Sequence, residues 1–295
     1  MIATLLFACA YAPLTHATPP AVRRDVAYGP SPSSRLDLYR SPDPAPQQLV
    51  VFVHGGSWVG GDKDNLSLAP RLIDWFLAHD FAVAAPNFRR PSKPGTGQSP
   101  HDPSDMATDV AAAIGWLHDH HEELGLQPTG VVLMGFSSGA HLTALVASDP
   151  SYLAAHDLPR SHLDAAISLD VHAYDVPLAL QLTEGSDIAD NERLIRSVFG
   201  TSRATQWHLS PAAYVDAGVP RSLLVSAEPA SSPTTKGWIA RQTSATHAAR
   251  LREVGVDAHH LHLEDATHSD LVMGFGRPGH AVTEAVEAWL LDDGT

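Results

Sequence analysis

An α/β fold, with a mostly parallel central sheet and helices on both faces, is what this sequence predicts. Three observations carry that expectation. From about residue 48 onward, short apolar β-branched runs alternate with longer amphipathic stretches, the order of successive strand–helix units. The runs are continuous, as in Gln48-Leu-Val-Val-Phe-Val53, which suits strands buried on both faces. Two glycine-rich segments, His54-Gly-Gly-Ser-Trp58 and Gly135-Phe-Ser-Ser-Gly139, stand where such runs end. The 295 residues, 44% apolar and 18% charged, amount to one large domain or a domain with a small cap.

Residues 24–28 and 35–39 read as an opening hairpin, since Gly29-Pro-Ser-Pro-Ser-Ser34 between them is turn chemistry. A strand over 48–53 follows, then a helix over 66–79 and a strand over 81–85 closed by Pro86. A Pro/Gly/Ser-rich loop runs to about residue 103, and a long amphipathic helix spans 104–121. The run 129–134 is a buried strand, and 140–147 a helix directly after it. Strands at 163–169, 220–226 and 256–263 and helices at 238–254 and 279–291 complete the alternation. Residues 171–215 are irregular and partly helical, the place for a cap. There is no internal repeat.

The first twenty residues form a candidate leader preceding a domain over 21–295. Residues 1–10 are apolar, Thr15-His-Ala17 resembles a small-residue cleavage site, and Leu6-Phe-Ala-Cys9 resembles a lipoprotein processing box. A positive n-region is missing before Arg23. The expectation is a secreted or periplasmic protein, lipid-anchored through Cys9 in one version, with a cytoplasmic fate as the alternative. No later stretch has the length and apolarity to span a bilayer. The formal charge of −14, with only 19 Lys and Arg, argues against a nucleic-acid or anionic-membrane surface. A single cysteine excludes internal disulfides and cysteine-based zinc sites.

Gly135-Phe-Ser-Ser-Gly139 wedged between strand and helix has the form of a nucleophile elbow, a turn too tight for side chains at its glycines, with Ser137 exposed at the sheet edge. Ser137 is the expected nucleophile. Acyl transfer also needs donors aimed at the oxygen that becomes negative, and backbone N–H groups supply them without reorganising. The amides of Gly56, Ser57 and Ser138 are assigned that role.

A serine needs a general base, itself oriented by a third group. The base belongs in a loop just past the last strand, where His268 sits; His259, His260 and His262 lie within the strand. The acid is open among three positions. Asp170 ends the strand over 163–169, Glu228 comes almost directly off the next one, and Asp175 lies a little further along. Other features have blander readings. His118-Asp-His-His121 ends a helix, where imidazoles suit the dipole and solvent better than a metal site. His141 is structural support under the site, and Asp62-Lys63 an ion pair or turn. Trp58 and Phe275, with Met273, are expected to line an acyl or alcohol pocket or else simply to pack.

Taken together, His54-Gly-Gly-Ser-Trp58, Gly61-Asp-Lys63, Asn87-Phe-Arg89, the Asp109 helix ending in Trp116 and Gly135-Phe-Ser-Ser-Gly-Ala-His141 resemble the α/β-hydrolase fold. They are most similar to its carboxylesterase branch that includes feruloyl-esterase-like and kynurenine formamidase-like proteins. The likeness is strong over residues 24–150 and thins to strand order plus His268 beyond. It implies a cofactor-independent, metal-free serine hydrolase acting on a small-molecule ester or activated amide. In the mechanism it implies, Ser137 attacks the acyl carbonyl, His268 takes its proton, Asp170 or Glu228 stabilises the imidazolium, and water clears the acyl-enzyme. Arylformamidase or other C–N hydrolysis on the same machinery, and a non-catalytic binding member of the fold, are the rival readings. Oligomeric state is not legible.

Overall fold

In the computed structural model, which describes residues 20–43, 45–90, 102–184, 189–229 and 235–291, the strands are β1 (Ala21–Ala27), β2 (Arg35–Arg40), β3 (Gln48–Val53), β4 (Phe81–Pro86), β5 (Val131–Phe136), β6 (Leu163–Leu169), β7 (Arg221–Ala227) and β8 (Ala258–Leu263). They form one sheet in the order β1-β2-β4-β3-β5-β6-β7-β8. β2 pairs antiparallel with β1 and β4, and every other pairing is parallel. The helices are α1 (Pro70–Ala78), α2 (Pro103–Asp119), α3 (His121–Leu124), α4 (Ser138–Ser148), α5 (Pro150–Ala154), α6 (Val176–Thr183), α7 (Ala189–Phe199), α8 (Arg203–His208), α9 (Lys236–Glu253), α10 (Asp270–Met273) and α11 (Ala281–Leu290). The candidate leader, Cys9 included, lies outside the described residues apart from Pro20.

Two buried cores explain the continuous apolar strands. Along β3, Leu49, Val51 and Val53 face one core with Val110, Ile114, Leu142 and Leu251, from α2, α4 and α9. Val50 and Phe52 face the other, with Leu72, Phe76, Val282 and Val286 from α1 and α11. Successive strand side chains point to opposite faces, so a strand apolar at every position must be covered on both. This is the α/β-hydrolase fold.

Several elements differ from their sequence expectation for local reasons. The helix expected over 66–79 is divided into a 3₁₀ turn at Lys63–Leu68 and α1, whose first residue is Pro70; proline lacks an N–H and suits a helix start. The helix expected over 104–121 stops at Asp119 because His120 leaves helical geometry, and a further turn, α3, closes on Gly125 in the left-handed region (φ 62°). β5 runs two residues beyond Met134, to Phe136. Residues 171–215 hold α6, α7, α8 and a 3₁₀ turn at Pro211–Tyr214, which packs against α4. Among the described residues, no helix is long and apolar enough to cross a membrane.

The parallel register matters most for the site. Val53 is level with Gly135, Phe136 with Leu169, Leu169 with Val225, and Ala227 with Leu263. The carboxyl ends of β3, β5, β6, β7 and β8 therefore meet at one edge, where open α/β sheets place their ligands.

Candidate active site

Ser137 is the single residue between β5 and α4. Its backbone is held at φ 56° and ψ −124°, outside the usual basins for a residue with a side chain, at a cost of roughly 1–2 kcal/mol. Tertiary contacts hold it there: its N–H donates to the Leu169 carbonyl at 2.8 Å, at the end of the neighbouring β6. The flanking glycines answer to close approach. A Cβ on Gly139 would lie 2.1 Å from the Val53 carbonyl oxygen, and one on Gly135 would lie 2.3 Å from the Gly139 carbonyl oxygen. Strand, turn and helix are thus pressed together until only hydrogen fits at both positions.

The loop after β3 lies against this turn, since a Cβ on Gly55 would be 3.0 Å from Ser137 Cβ. Three consecutive residues, Gly56 (φ 145°), Ser57 (φ 56°) and Trp58 (φ 59°), have positive φ. The turn closes through Val59 and Gly60 N–H groups, both donating to the Gly56 carbonyl. Among the described residues, the amides of Gly56 and Ser57 donate no hydrogen bond within the protein, and that of Ser138 is an unpaired first-turn N–H of α4. His54, 2% exposed, stacks on Phe88 with ring centroids 4.4 Å apart and shares a 2.8 Å hydrogen bond with the Gly55 carbonyl.

Asp62 and Lys63 anchor the far side of the loop by separate routes and are not paired with each other. Asp62 caps the 3₁₀ turn through Asp64 N–H and accepts from Asn87 Nδ2 at 3.1 Å. Lys63 Nζ reaches Asp25 and Asp37 at 3.0 Å and Asp64 at 3.1 Å. Burial opposes its charge, but the hydrogen bonds it donates to Asp25, Asp37 and Asp64 hold it above the ordinary lysine range.

Across the turn, His268 Nδ1 donates to Asp170 Oδ2 at 2.5 Å, joining residues 98 apart in the chain. Asp170 follows β6, with φ 54°, 8% exposed, and its other oxygen accepts from Ala227 N–H at 3.1 Å. A carboxylate so placed fixes the ring's tautomer and leaves Nε2 as the basic nitrogen. The His268 ring lies 4.6 Å from that of Phe136, the neighbour of Ser137. No hydrogen bond joins His268 to Ser137 Oγ among the described residues, and such bonds commonly tighten only when substrate is bound.

The other acid candidates are elsewhere engaged. Glu228, also at positive φ (72°), uses its N–H to bond the Ala266 carbonyl, and its carboxylate makes no bond to His268 among the described residues. Asp175 caps α6 through Leu178 N–H at 3.0 Å and pairs with Arg250 at 2.8 Å.

The two residues expected to line a pocket are core residues instead. Trp58 is 4% exposed and packs edge-on against Phe199 and His141. Phe275 is fully buried in the core on the opposite face of the sheet, between Trp75 and Phe76. The chain beyond α10 turns under the sheet, so nearness to His268 in sequence does not carry Phe275 to the strand ends. The imidazoles of His118, His120 and His121 bond the carbonyls of Pro128, Trp116 and His118. Among the described residues no group of three or more His, Cys, Asp or Glu is arranged to hold a metal ion.

Two neighbours of the site escaped sequence reasoning. Phe136, the first variable position of the Gly-x-Ser-x-Gly motif, packs its ring against that of His268. His172, two residues past Asp170, is held neutral: burial pushes its pKa to about 4, against the pull of Asp170. Spacing from Ser137 and Asp170 was the available signal for both.

Comparison with known proteins bears on the family and the fold. The BD-FAE family model matches residues 36–230. An isoprenylcysteine alpha-carbonyl methylesterase of Arabidopsis thaliana is 36% identical over 124 residues, 42% of this chain and 27% of that protein. Esterase LipC of Mycobacterium tuberculosis is 32% identical over 162 residues, 50% of this chain and 36% of that protein. The chain thus spans a quarter to about a third of the length of these relatives. Among solved structures, Thermogutta terrifontis esterase 2 phosphoramylated by tabun superposes with a TM-score of 0.65 at 21% identity, covering 96% of this chain and 98% of that one. Esterase B of Lactobacillus rhamnosis gives 0.68 at 17% identity, covering 92% and 84%. At these identities the structures speak for the fold.

Proposed function

This chain belongs to the BD-FAE family of feruloyl-esterase-like α/β-hydrolase domains, and from that we propose that it is a serine hydrolase cleaving carboxylic esters of small molecules through an acyl-enzyme on Ser137. The observation that carries the proposal is the 2.5 Å bond between His268 Nδ1 and Asp170, at the strand edge where the Ser137 turn also stands. His268 Nε2 takes the Ser137 proton as Oγ attacks the acyl carbon, and Asp170 holds the imidazolium that results. The carbonyl oxygen becomes an oxyanion among the amides of Gly56, Ser57 and Ser138. His268 then returns the proton to the departing alcohol, and water attacks the acyl-enzyme by the same route in reverse. The esterase names of the relatives support this reading, as does the tabun adduct of a structural neighbour, since organophosphates modify activated serines.

The test is hydrolysis of p-nitrophenyl acetate, butyrate and octanoate, with N-formylkynurenine alongside, by wild type and Ser137→Ala. We expect ester turnover that Ser137→Ala lowers by about 10⁴-fold or more. Full activity in that variant would sink the mechanism, and turnover of the formamide alone would move the chemistry to C–N bonds.

A further inference from the structure

His141 lies one turn into α4, completely buried, and takes no part in the proton transfers proposed above. Its two ring nitrogens nevertheless bond two different parts of the molecule. Trp58 Nε1, 3.2 Å away, faces Nδ1, and the Leu209 carbonyl lies 2.9 Å from Nε2. The partners settle the proton's place. An indole N–H only donates and a carbonyl only accepts, so Nδ1 is the acceptor and Nε2 carries the hydrogen. Burial pushes the His141 pKa to about 4, so the ring is neutral and this arrangement persists across the ordinary pH range. Phe199 closes the cluster, its ring centroid 5.1 Å from both His141 and Trp58.

What the imidazole joins gives it meaning. Trp58 directly follows Ser57, at the end of three consecutive positive-φ residues in the oxyanion loop. His141 stands on the helix whose first residue, Ser138, offers the other oxyanion amide. Leu209 and Phe199 belong to the 171–215 segment, so the same ring is also held from outside the sheet edge. Two backbone segments, with Ser138 standing 81 residues after Ser57, must place their N–H groups around one oxygen to a fraction of an ångström, and a misplacement of about 1 Å can lower a rate about 100-fold.

We propose that His141 is a positioning residue that clamps the two halves of the oxyanion hole together, accepting from Trp58 on the loop side while its donation to Leu209 fixes the required tautomer. The proposal rests on the serine-hydrolase reading above. It also explains why Trp58 is buried: its indole N–H faces the clamp and not a substrate.

The test compares wild type with His141→Phe, His141→Gln and Trp58→Phe, using Ser137→Ala as the blank. Measured are kcat and KM on p-nitrophenyl butyrate, the Ki of an alkyl trifluoromethyl ketone, whose hemiketal oxyanion occupies the hole, and thermal melting. His141→Phe keeps a ring but neither bond; kcat should fall about 10- to 100-fold with KM within about 3-fold. The trifluoromethyl ketone Ki should weaken in step with kcat/KM, which loss of folded enzyme would not produce, since Ki does not depend on the active fraction. His141→Gln, able to accept and donate at once, should recover most of the loss. If His141→Phe does not fold, Trp58→Phe decides, with the same joint change in kcat and Ki expected. Unchanged Ki in a folded His141→Phe or, failing that, in Trp58→Phe would overturn the clamp and leave the hydrolase reading intact. Wild-type turnover that survives Ser137→Ala would overturn both.

Discussion

At the scale of single residues, backbone strain marks the site. Ser57, Trp58, Ser137, Asp170 and Glu228, five of the non-glycine residues at positive φ, lie in the turns and loop that follow the carboxyl ends of strands, while Asp25, Asp80 and Asp157 share that backbone elsewhere. Trp58, Ser137, Asp170 and Glu228 are held by hydrogen bonds to residues beyond their own segments, as a strained conformation must be. Asp170 shows the arrangement most fully: its N–H donates to the Val225 carbonyl at 2.7 Å, one carboxylate oxygen accepts from Ala227 N–H and the other from His268. An amide in its place keeps the shape but loses the charge and can present N–H to the ring. Asp170→Asn should therefore lower kcat by roughly 10³- to 10⁴-fold in the ester assay, whereas Glu228→Gln should stay within about 3-fold of wild type. The opposite ranking would move the acid's role to Glu228.

At the scale of elements, the site depends on how closely α4 approaches β3. Gly139 lies on the first turn of α4, where a Cβ would meet the Val53 and His54 carbonyl oxygens at 2.1 and 2.5 Å. Both are backbone atoms of a central strand and its immediate continuation, so relief requires the helix to move. Gly139→Ala should cost about 2–3 kcal/mol in urea unfolding and slow Ser137 labelling by a fluorophosphonate at least 10-fold. Normal labelling in that variant would mean that the helix can shift without disturbing the turn. The strand–turn–helix pattern around 129–147 made this junction legible from sequence. The tight contact with Val53 was not, because it joins segments some 85 residues apart.

At the scale of the whole molecule, buried neutral histidines tie stability to pH. His141 and His247, 0% and 3% exposed, have pKa values pushed by burial to about 4 and about 3. In the unfolded chain each titrates near 6.5. Between those values the unfolded state binds protons that the native state does not, so their contribution to native stability is complete above about pH 6.5 and is lost as pH falls toward 4. Two such groups give a slope of roughly 3 kcal/mol per pH unit near pH 5, large against a total of about 5–15 kcal/mol. Urea midpoints at pH 7, 6 and 5 should fall steeply, and His247→Phe should flatten the decline. A midpoint independent of pH over that range would contradict it.

What the sequence determined by itself is what neighbouring residues encode: the alternation that builds a parallel sheet, the glycine-bound turn around Ser137, the loop after Val53 and the position of His268 just past the last strand. Each depends on local periodicity, turn chemistry and strand order. The tertiary structure alone chose among Asp170, Glu228 and Asp175 as the partner of His268, buried Trp58 and Phe275 where a pocket was expected, and seated His141 between Trp58 and Leu209. These are contacts between strand ends and helices that are distant along the chain, set by register and packing across the sheet, and no local pattern carries that information.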